Sequence, residues 1–147
     1  MIPDFRGLPE LRELHLRDNN FRGSIPTTIG LLSNLSWLSI QQNQFTGTLP
    51  SQLSFLTEME GLELNDNSLR GRLPVSLSEL SKLRILDVSG NFFTGSVPPE
   101  YEHLSSLAAL SVSRNSLDGT ISDAICNEVV HVVADCTLQC SCCKGCW

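Results

Sequence analysis

The sequence predicts an α/β solenoid, in which short repeats stack and bury a shared core between neighbours. An asparagine, a glycine and a proline each recur with a step of 24 residues. The asparagines are Asn19, Asn43, Asn67, Asn91 and Asn115. The glycines are Gly23, Gly47, Gly71, Gly95 and Gly119, and the prolines are Pro26, Pro50, Pro74 and Pro98. A fixed period of this size is the sequence signature of a solenoid.

The first element of each repeat is predicted to be a short strand. Leu14 and Leu16 are apolar and stand two positions apart, which is the period of a strand with one buried face. The equivalent pairs are Leu38/Ile40, Leu62/Leu64, Leu86/Val88 and Leu110/Val112. We expect these strands to stack as a parallel sheet, with neighbours about 4.8 Å apart.

The asparagine that follows each strand is expected to bond backbone groups that the turn leaves unpaired. The stacked turns should therefore align the five asparagines as a ladder. The glycine suits a turn with positive φ, and the residue before each proline is biased towards an extended backbone. Apolar residues after the proline, such as Ile29 and Leu32, predict a short helical turn on the outer side.

The complete pattern, LxxLxxLxLxxNxLxGxIPxxLxxL, resembles the plant-type leucine-rich repeat of receptor-like proteins, receptor kinases and polygalacturonase inhibitors. Five such repeats are predicted over residues 8–125, after a remnant of an earlier repeat at 1–7 and before a cysteine-rich cap at 126–147. The resemblance implies a right-handed, curved solenoid whose concave sheet carries the partner site. The fold alone does not identify the partner.

The N-terminal end has neither a paired-cysteine cap nor a basic region followed by an apolar run. We therefore expect a fragment or a start at an internal Met, with a naturally short protein as the alternative. No stretch approaches the roughly 18 consecutive apolar residues of a membrane span. A signal peptide and any membrane anchor are accordingly expected upstream of this chain.

All six cysteines lie in the predicted cap, which resembles the cysteine-rich end of diatom-type algal leucine-rich-repeat proteins. They are Cys126, Cys136, Cys140, Cys142, Cys143 and Cys146. An even number of cysteines suggests three disulfides, for which sequence leaves fifteen pairings open. The alternative is zinc held by thiolates, since Cys140-x-Cys142 and Cys143-x-x-Cys146 have chelating proximity.

A last strand is predicted within the cap. On the 24-residue frame, Ala134 and Cys136 would take the strand positions of Leu110 and Val112. Disulfides in this cap would imply an oxidising, extracellular or cell-surface location. Asn34, in the N-x-[ST] sequon Asn34-Leu35-Ser36, is the predicted glycosylation site.

The residues beside the buried leucines face solvent and change from repeat to repeat, as a ligand-binding surface requires. The candidate ligand-binding residues are Trp37, Ile85, Glu63, Asp87, His15, Arg17, Gln41 and Asn65. Trp37 and Ile85 are expected to form an apolar patch with a shallow notch at Gly61 between them. The alternative is a solitary exposed aromatic side chain.

Glu63 and Asp87 share one column on adjacent strands, which suits a cation or a basic ligand; an ordinary solvated acidic face is the alternative. Paired carboxylates also serve glycoside hydrolysis, but an open sheet offers no desolvated cleft to raise one pKa. The three histidines lie on different faces or repeats, and no phosphate-binding glycine loop follows a strand. We therefore expect no enzyme, cofactor or metal site.

Ten Lys and Arg against sixteen Asp and Glu give a net charge of −6, which argues against a nucleic-acid partner. By resemblance, the chain is expected to be a recognition module of a secreted or cell-surface receptor-like protein. Its partners would be a protein, peptide or glycan ligand and a co-receptor. Three alternatives are an inhibitor of secreted wall-degrading hydrolases, an intracellular scaffold with a zinc-bound cap, and an ice- or polysaccharide-adsorbing surface.

Overall fold

The computed structural model describes residues 7–146, and up to residue 117 its strands alternate along the chain between two parallel sheets. The main sheet contains, in spatial order, β1 (Glu13–His15), β3 (Trp37–Ser39), β5 (Gly61–Glu63), β7 (Ile85–Asp87), β9 (Ala109–Ser111), β11 (His131–Ala134) and β12 (Cys143–Cys146). The second sheet contains β2 (Arg22–Gly23), β4 (Gln44–Gly47), β6 (Ser68–Gly71), β8 (Phe92–Gly95) and β10 (Ser116–Leu117). Residues 1–6 of the predicted repeat remnant lie outside the described part of the chain.

The main sheet is held in register by one column of leucines. Leu14, Leu38, Leu62, Leu86 and Leu110 lie side by side on successive parallel strands. The last four of these side chains are at most 1% exposed. The parallel sheet predicted from the alternation of apolar residues is therefore confirmed.

The second sheet was not predicted from the sequence. Four of its five strands bury a single large side chain, such as Phe45 or Phe93, and both residues of β2 are exposed. One buried residue in a strand of two to four is too short a pattern to show a period of two.

Short helical turns follow the prolines and cover the outer side, as predicted. Four of them are 3-10 helices, at Thr27–Leu31, Ser51–Phe55, Val75–Glu79 and Pro99–His103. The next repeat instead forms an α-helix, α1 (Asp123–Glu128), whose N-cap Ser122 accepts a hydrogen bond from the Ile125 N–H at 3.3 Å. None of the helices within residues 7–146 has the length and apolar character needed to cross a membrane.

The predicted register of the last strand is wrong by two residues. Val132, rather than Ala134, pairs with Leu110, so this step is two residues shorter than the 24-residue period. The α-helix replaces the proline and 3-10 turn of the earlier repeats, which changes the length of the connection. A shift of two preserves the buried face of a strand, so Ala134 is still only 1% exposed, whereas Cys136 lies beyond the strand.

The carboxylate of Asp135 completes the backbone hydrogen bonding at the end of the stack. In the preceding repeat, the N–H groups of Gly90 and Asn91 donate to the carbonyls of Ser113 and Arg114 at 2.9 and 3.2 Å. One repeat later, the Arg114 and Asn115 N–H groups donate to Asp135 Oδ1 and Oδ2 at 2.7 and 3.0 Å. One side chain thus replaces two backbone carbonyls.

Two disulfides tie the cap together. Cys126 in α1 is bonded to Cys142, and Cys140 is bonded to Cys143 at the start of β12. A sulfur in a disulfide is not a thiolate, so these four residues favour the disulfide alternative over a zinc site. Cys136 is exposed, and the side chain of Cys146 lies outside the described residues, as does the third predicted bridge.

Candidate functional site

The asparagines after the main-sheet strands hold the strand ends in fixed positions. The amide nitrogen of Asn67 lies 3.0, 3.2 and 3.3 Å from the carbonyl oxygens of Ile40, Leu64 and Asn65. Its Oδ1 accepts a hydrogen bond from the Phe45 N–H at 3.0 Å, so one side chain links two repeats.

Asn43, Asn91 and Asn115 bind carbonyls of their own and the preceding repeat in the same way. Asn19, in the first described turn, is exposed and donates only within its own turn. The ladder therefore fixes the sheet on which the candidate residues stand.

Trp37 is half-buried because its indole lies flat over Gly61 on the next strand. A Cβ on Gly61 would come within 2.6 Å of three indole carbons, so glycine is required there by this close approach. The indole therefore occupies the space at Gly61 where a shallow notch was predicted between Trp37 and Ile85, and that prediction is wrong. The indole N–H donates to Glu63 Oε2 at 3.4 Å.

An apolar recess opens beside the indole instead. It has a volume of about 300 Å³ and is lined by Trp37, Arg84, Ile85, Ala108, Ala109 and His131. His131 was missing from the predicted residues, because it stands beside Ala109 only in the observed register of β11. Extending the row Trp37, Gly61, Ile85 and Ala109 by 22 residues instead of 24 would have found it.

Glu63 and Asp87 are neighbours on β5 and β7, and the surrounding side chains fix their orientations. Glu63 Oε2 accepts hydrogen bonds from Ser39 Oγ at 2.9 Å and from Gln41 Nε2 at 3.3 Å, besides the indole N–H. Asp87 Oδ1 accepts from the Ser89 hydroxyl at 2.6 Å and the Ser89 N–H at 2.9 Å. Each carboxylate keeps its other oxygen without a donor among residues 7–146.

The acidic residues around this pair have basic partners of their own. Arg84 lies 3.9 Å from Glu60, and Arg114 lies 2.9 Å from Asp66. The second pair crosses Gly90, where a Cβ would collide with the Asp66 carboxylate. In the part of the chain that the structure describes, no Lys, Arg or His forms an ion pair with Glu63 or Asp87. Of these four acidic residues, Glu63 and Asp87 are therefore the two without a basic partner.

The third residue after each of the first five main-sheet strands also has an unusual backbone. Asp18, Gln42, Asp66 and Arg114 have φ between 54° and 56°, in the left-handed region, and Gly90 has φ 62°. Their side chains project from the edge of the candidate surface, as the ion pair between Arg114 and Asp66 shows.

The other candidates separate into two groups. Gln41 and Asn65 belong to the acidic region, since Gln41 contacts Glu63 and Asn65 donates to Asp66 at 2.9 Å. His15 and Arg17 lie on and after β1, away from the recess. Their neighbours are Glu13 at 3.1 Å and Asp18 at 4.0 Å, respectively.

Asn34 lies outside the candidate surface. Its Nδ2 donates to the Pro9 carbonyl at 2.9 Å. Its glycosylation stays a prediction.

Comparison with known proteins places the repeats among leucine-rich repeats. A family model described as leucine rich repeat matches residues 33–93, and a second leucine-rich-repeat model matches residues 10–32. No curated protein matches the chain. The ectodomain of the receptor kinase SOBIR1 from Arabidopsis thaliana is 30% identical, with a TM-score of 0.80 over 86% of this chain and 72% of that one.

Two further solved structures are similar over most of this chain. The Arabidopsis receptor kinase HAESA, in complex with the peptide hormone IDA and the co-receptor SERK1, is 35% identical with a TM-score of 0.85, covering 92% of this chain and 23% of that chain. A plant ice-binding protein is 32% identical with a TM-score of 0.78, covering 86% of this chain and 42% of that chain. The chain spans 17–23% of the length of the first receptor structures that it matches.

Proposed function

The chain belongs to the plant-type leucine-rich-repeat family, and we propose that it is a non-catalytic, peptide-binding module of a secreted or cell-surface receptor-like protein. The peptide would lie on the main sheet. One observation supports this function most directly: an apolar recess lies beside two oriented carboxylates without basic partners, on a sheet fixed by hydrogen bonds. Preformed sites of this kind combine apolar walls with a few placed polar groups.

Related proteins favour a peptide over the other ligand classes. HAESA binds a peptide hormone together with a co-receptor, and we propose a co-receptor as a second partner of this chain by the same likeness. The two disulfides of the cap support an oxidising, extracellular location. They also oppose the intracellular scaffold with a zinc-bound cap.

An ice-adsorbing surface is a weaker candidate despite the similar plant protein. Such a surface needs regular columns, whereas the column formed by the last residues of the first five main-sheet strands is chemically irregular. It reads His15, Ser39, Glu63, Asp87 and Ser111. The inhibitor of wall-degrading hydrolases stays a prediction.

Selection of ligands from a random 12-residue peptide library displayed on phage would test the function. We expect selected peptides to lose about tenfold or more in affinity for Trp37→Ala and for Ile85→Ala, because buried aromatic and apolar anchors dominate such interfaces. The matched control is Phe55→Ala on the outer side, where the ring is 62% exposed; it should bind as the wild type does. Selected peptides that bind all four proteins equally would refute binding on the main sheet.

A further inference from the structure

We propose that the bound peptide is extended and carries an apolar side chain and a Lys or Arg side chain two residues apart. The apolar side chain would occupy the recess, and the basic one would bind between Glu63 and Asp87. This inference rests on the proposed function and specifies its ligand. It follows from the chemistry of two neighbouring subsites and from the distance between them.

The recess suits one apolar side chain. Ile85 and Ala109 form its floor, and Trp37 and His131 stand on opposite sides of them across the sheet. A cavity of about 150 Å³ can hold benzene, so about 300 Å³ is sufficient for an aliphatic or aromatic side chain. The wall contributed by the indole cannot collapse inwards, because the ring already rests on the backbone of Gly61.

The acidic subsite suits a guanidinium or ammonium group. Glu63 Oε2 and Asp87 Oδ1 receive hydrogen bonds from the surrounding hydroxyl, amide and indole groups, and the second oxygen of each carboxylate has no described donor. These two oxygens stand on adjacent strands, where a planar guanidinium can bond both. The flanking Glu60 and Asp66 are already paired with arginines, which leaves the attraction for a cation at Glu63 and Asp87.

A bound calcium ion fits this subsite poorly. Calcium takes six to eight oxygen ligands, whereas only two carboxylate oxygens here are without donors. The groups around them, Ser39, Gln41 and Ser89, already direct hydrogen-bond donors at the same carboxylates. A ligand that itself donates hydrogen bonds is therefore the better complement.

The distance between the subsites matches the repeat of an extended peptide. Ile85, in the floor of the recess, begins β7, and Asp87 ends the same strand, so these two side chains are two residues apart on one face. Two residues of a strand span about 6.6 Å. An extended ligand along the strands repeats its own side chains at the same distance. The net charge of −6 would also favour the approach of a basic peptide.

Four sets of acetylated and amidated decapeptides on an array provide the probe. Each set holds one motif constant: Phe-x-Arg, Phe-x-x-x-Arg, Ala-x-Arg or Phe-x-Glu. Every motif is included in both sequence orders, and the remaining positions are varied among Gly, Ser and Ala. We expect the Phe-x-Arg set to bind best, and its binding to weaken as salt is raised. The double variant Glu63→Gln, Asp87→Asn should bind this set at least tenfold more weakly, since hydrogen bonds to charged groups are involved.

The control variant is the double substitution Glu79→Gln, Glu128→Gln, which makes the same change in net charge at exposed residues away from the main sheet. It should bind within about twofold of the wild type, which separates a local contact from long-range attraction. Glu63→Lys should transfer the preference to the Phe-x-Glu set. Thermal unfolding of each variant is the check that the substitution leaves the chain folded.

Failure of the ligand class is distinguishable from failure of the function. One outcome is that binding depends on Trp37 but is equally strong for peptides that contain Arg, Glu or neither. It would overturn the Phe-x-Arg inference and would still support peptide binding on the main sheet. Equal binding of the Phe-x-Arg and Phe-x-x-x-Arg sets would overturn the two-residue spacing. Array peptides that bind without any dependence on Trp37, Ile85, Glu63 or Asp87 would overturn both proposals.

Discussion

Replacing Asp135 by alanine should lower the free energy of unfolding by about 2–3 kcal/mol. The carboxylate accepts the Arg114 and Asn115 N–H groups at 2.7 and 3.0 Å, and hydrogen bonds to a charged group contribute about 1.5–3 kcal/mol each. The bond to Arg114 is exposed, so water can replace it in the variant and its removal adds little to the loss. The bond to Asn115 is partly buried and accounts for most of the loss.

Asp135→Asn tests the geometry more finely. It keeps one acceptor oxygen without the charge, so we expect roughly half the loss seen with alanine. The matched control is Asp118→Ala, which removes an exposed aspartate whose side chain makes no hydrogen bond among the described residues. Surface changes of this kind alter stability by less than about 0.5 kcal/mol.

Urea unfolding followed by circular dichroism gives the global value, and amide hydrogen exchange gives the local one. A solenoid can open from one end, so the exchange of the Arg114 and Asn115 amides is the more direct measurement. We expect both amides to exchange faster in Asp135→Ala than in the wild type or the control. Unchanged stability together with unchanged protection of these amides would refute the role given to Asp135.

Three further changes are expected to have measurable effects. Tyr101, the only tyrosine, has its pKa raised by burial and then by the neighbouring Glu100. Stability should therefore fall as pH rises above the unfolded value of about 10, and an ultraviolet titration should show phenolate only on unfolding. Asn67→Ala should lower the free energy of unfolding in urea by about 2–4 kcal/mol, and Asn19→Ala by less than about 1 kcal/mol. Of these two asparagines, Asn67 is buried and Asn19 is exposed, so equal losses would contradict this reasoning. Replacing Cys126 and Cys142 together by serine should cost about 3 kcal/mol, seen as a lower melting temperature; an unchanged midpoint would contradict it.

The strict period made the stacked part of the fold predictable. Each conserved step of 24 residues repeats one set of local preferences, so Leu38, Leu62 and Leu86 could be placed side by side from the sequence. The register of the last strand could not be predicted in this way, because the chain between Leu110 and Val132 departs from the 24-residue period. The local sequence does not show that this step is shorter.

The candidate site was predictable in position but not in shape. The sequence placed Trp37, Glu63 and Asp87 on one face, because each is a fixed number of residues from a buried leucine. It did not show that the indole turns onto Gly61 and opens the recess elsewhere, since this depends on a side-chain rotamer. The partner of Arg114 was equally hidden, because the side chain reaches across Gly90 to a strand two positions away.

The left-handed backbone after the strands limits how this surface can diversify. Glycine, asparagine and aspartate tolerate φ near +55°, whereas β-branched side chains do not. Valine, isoleucine and threonine are therefore disfavoured at the positions of Gln42, Asp66 and Arg114, beside the candidate surface. Engineered libraries for new specificities should vary the first and third residues of the strands, keep Gly61 as glycine beneath Trp37, and restrict this edge to a smaller set of amino acids.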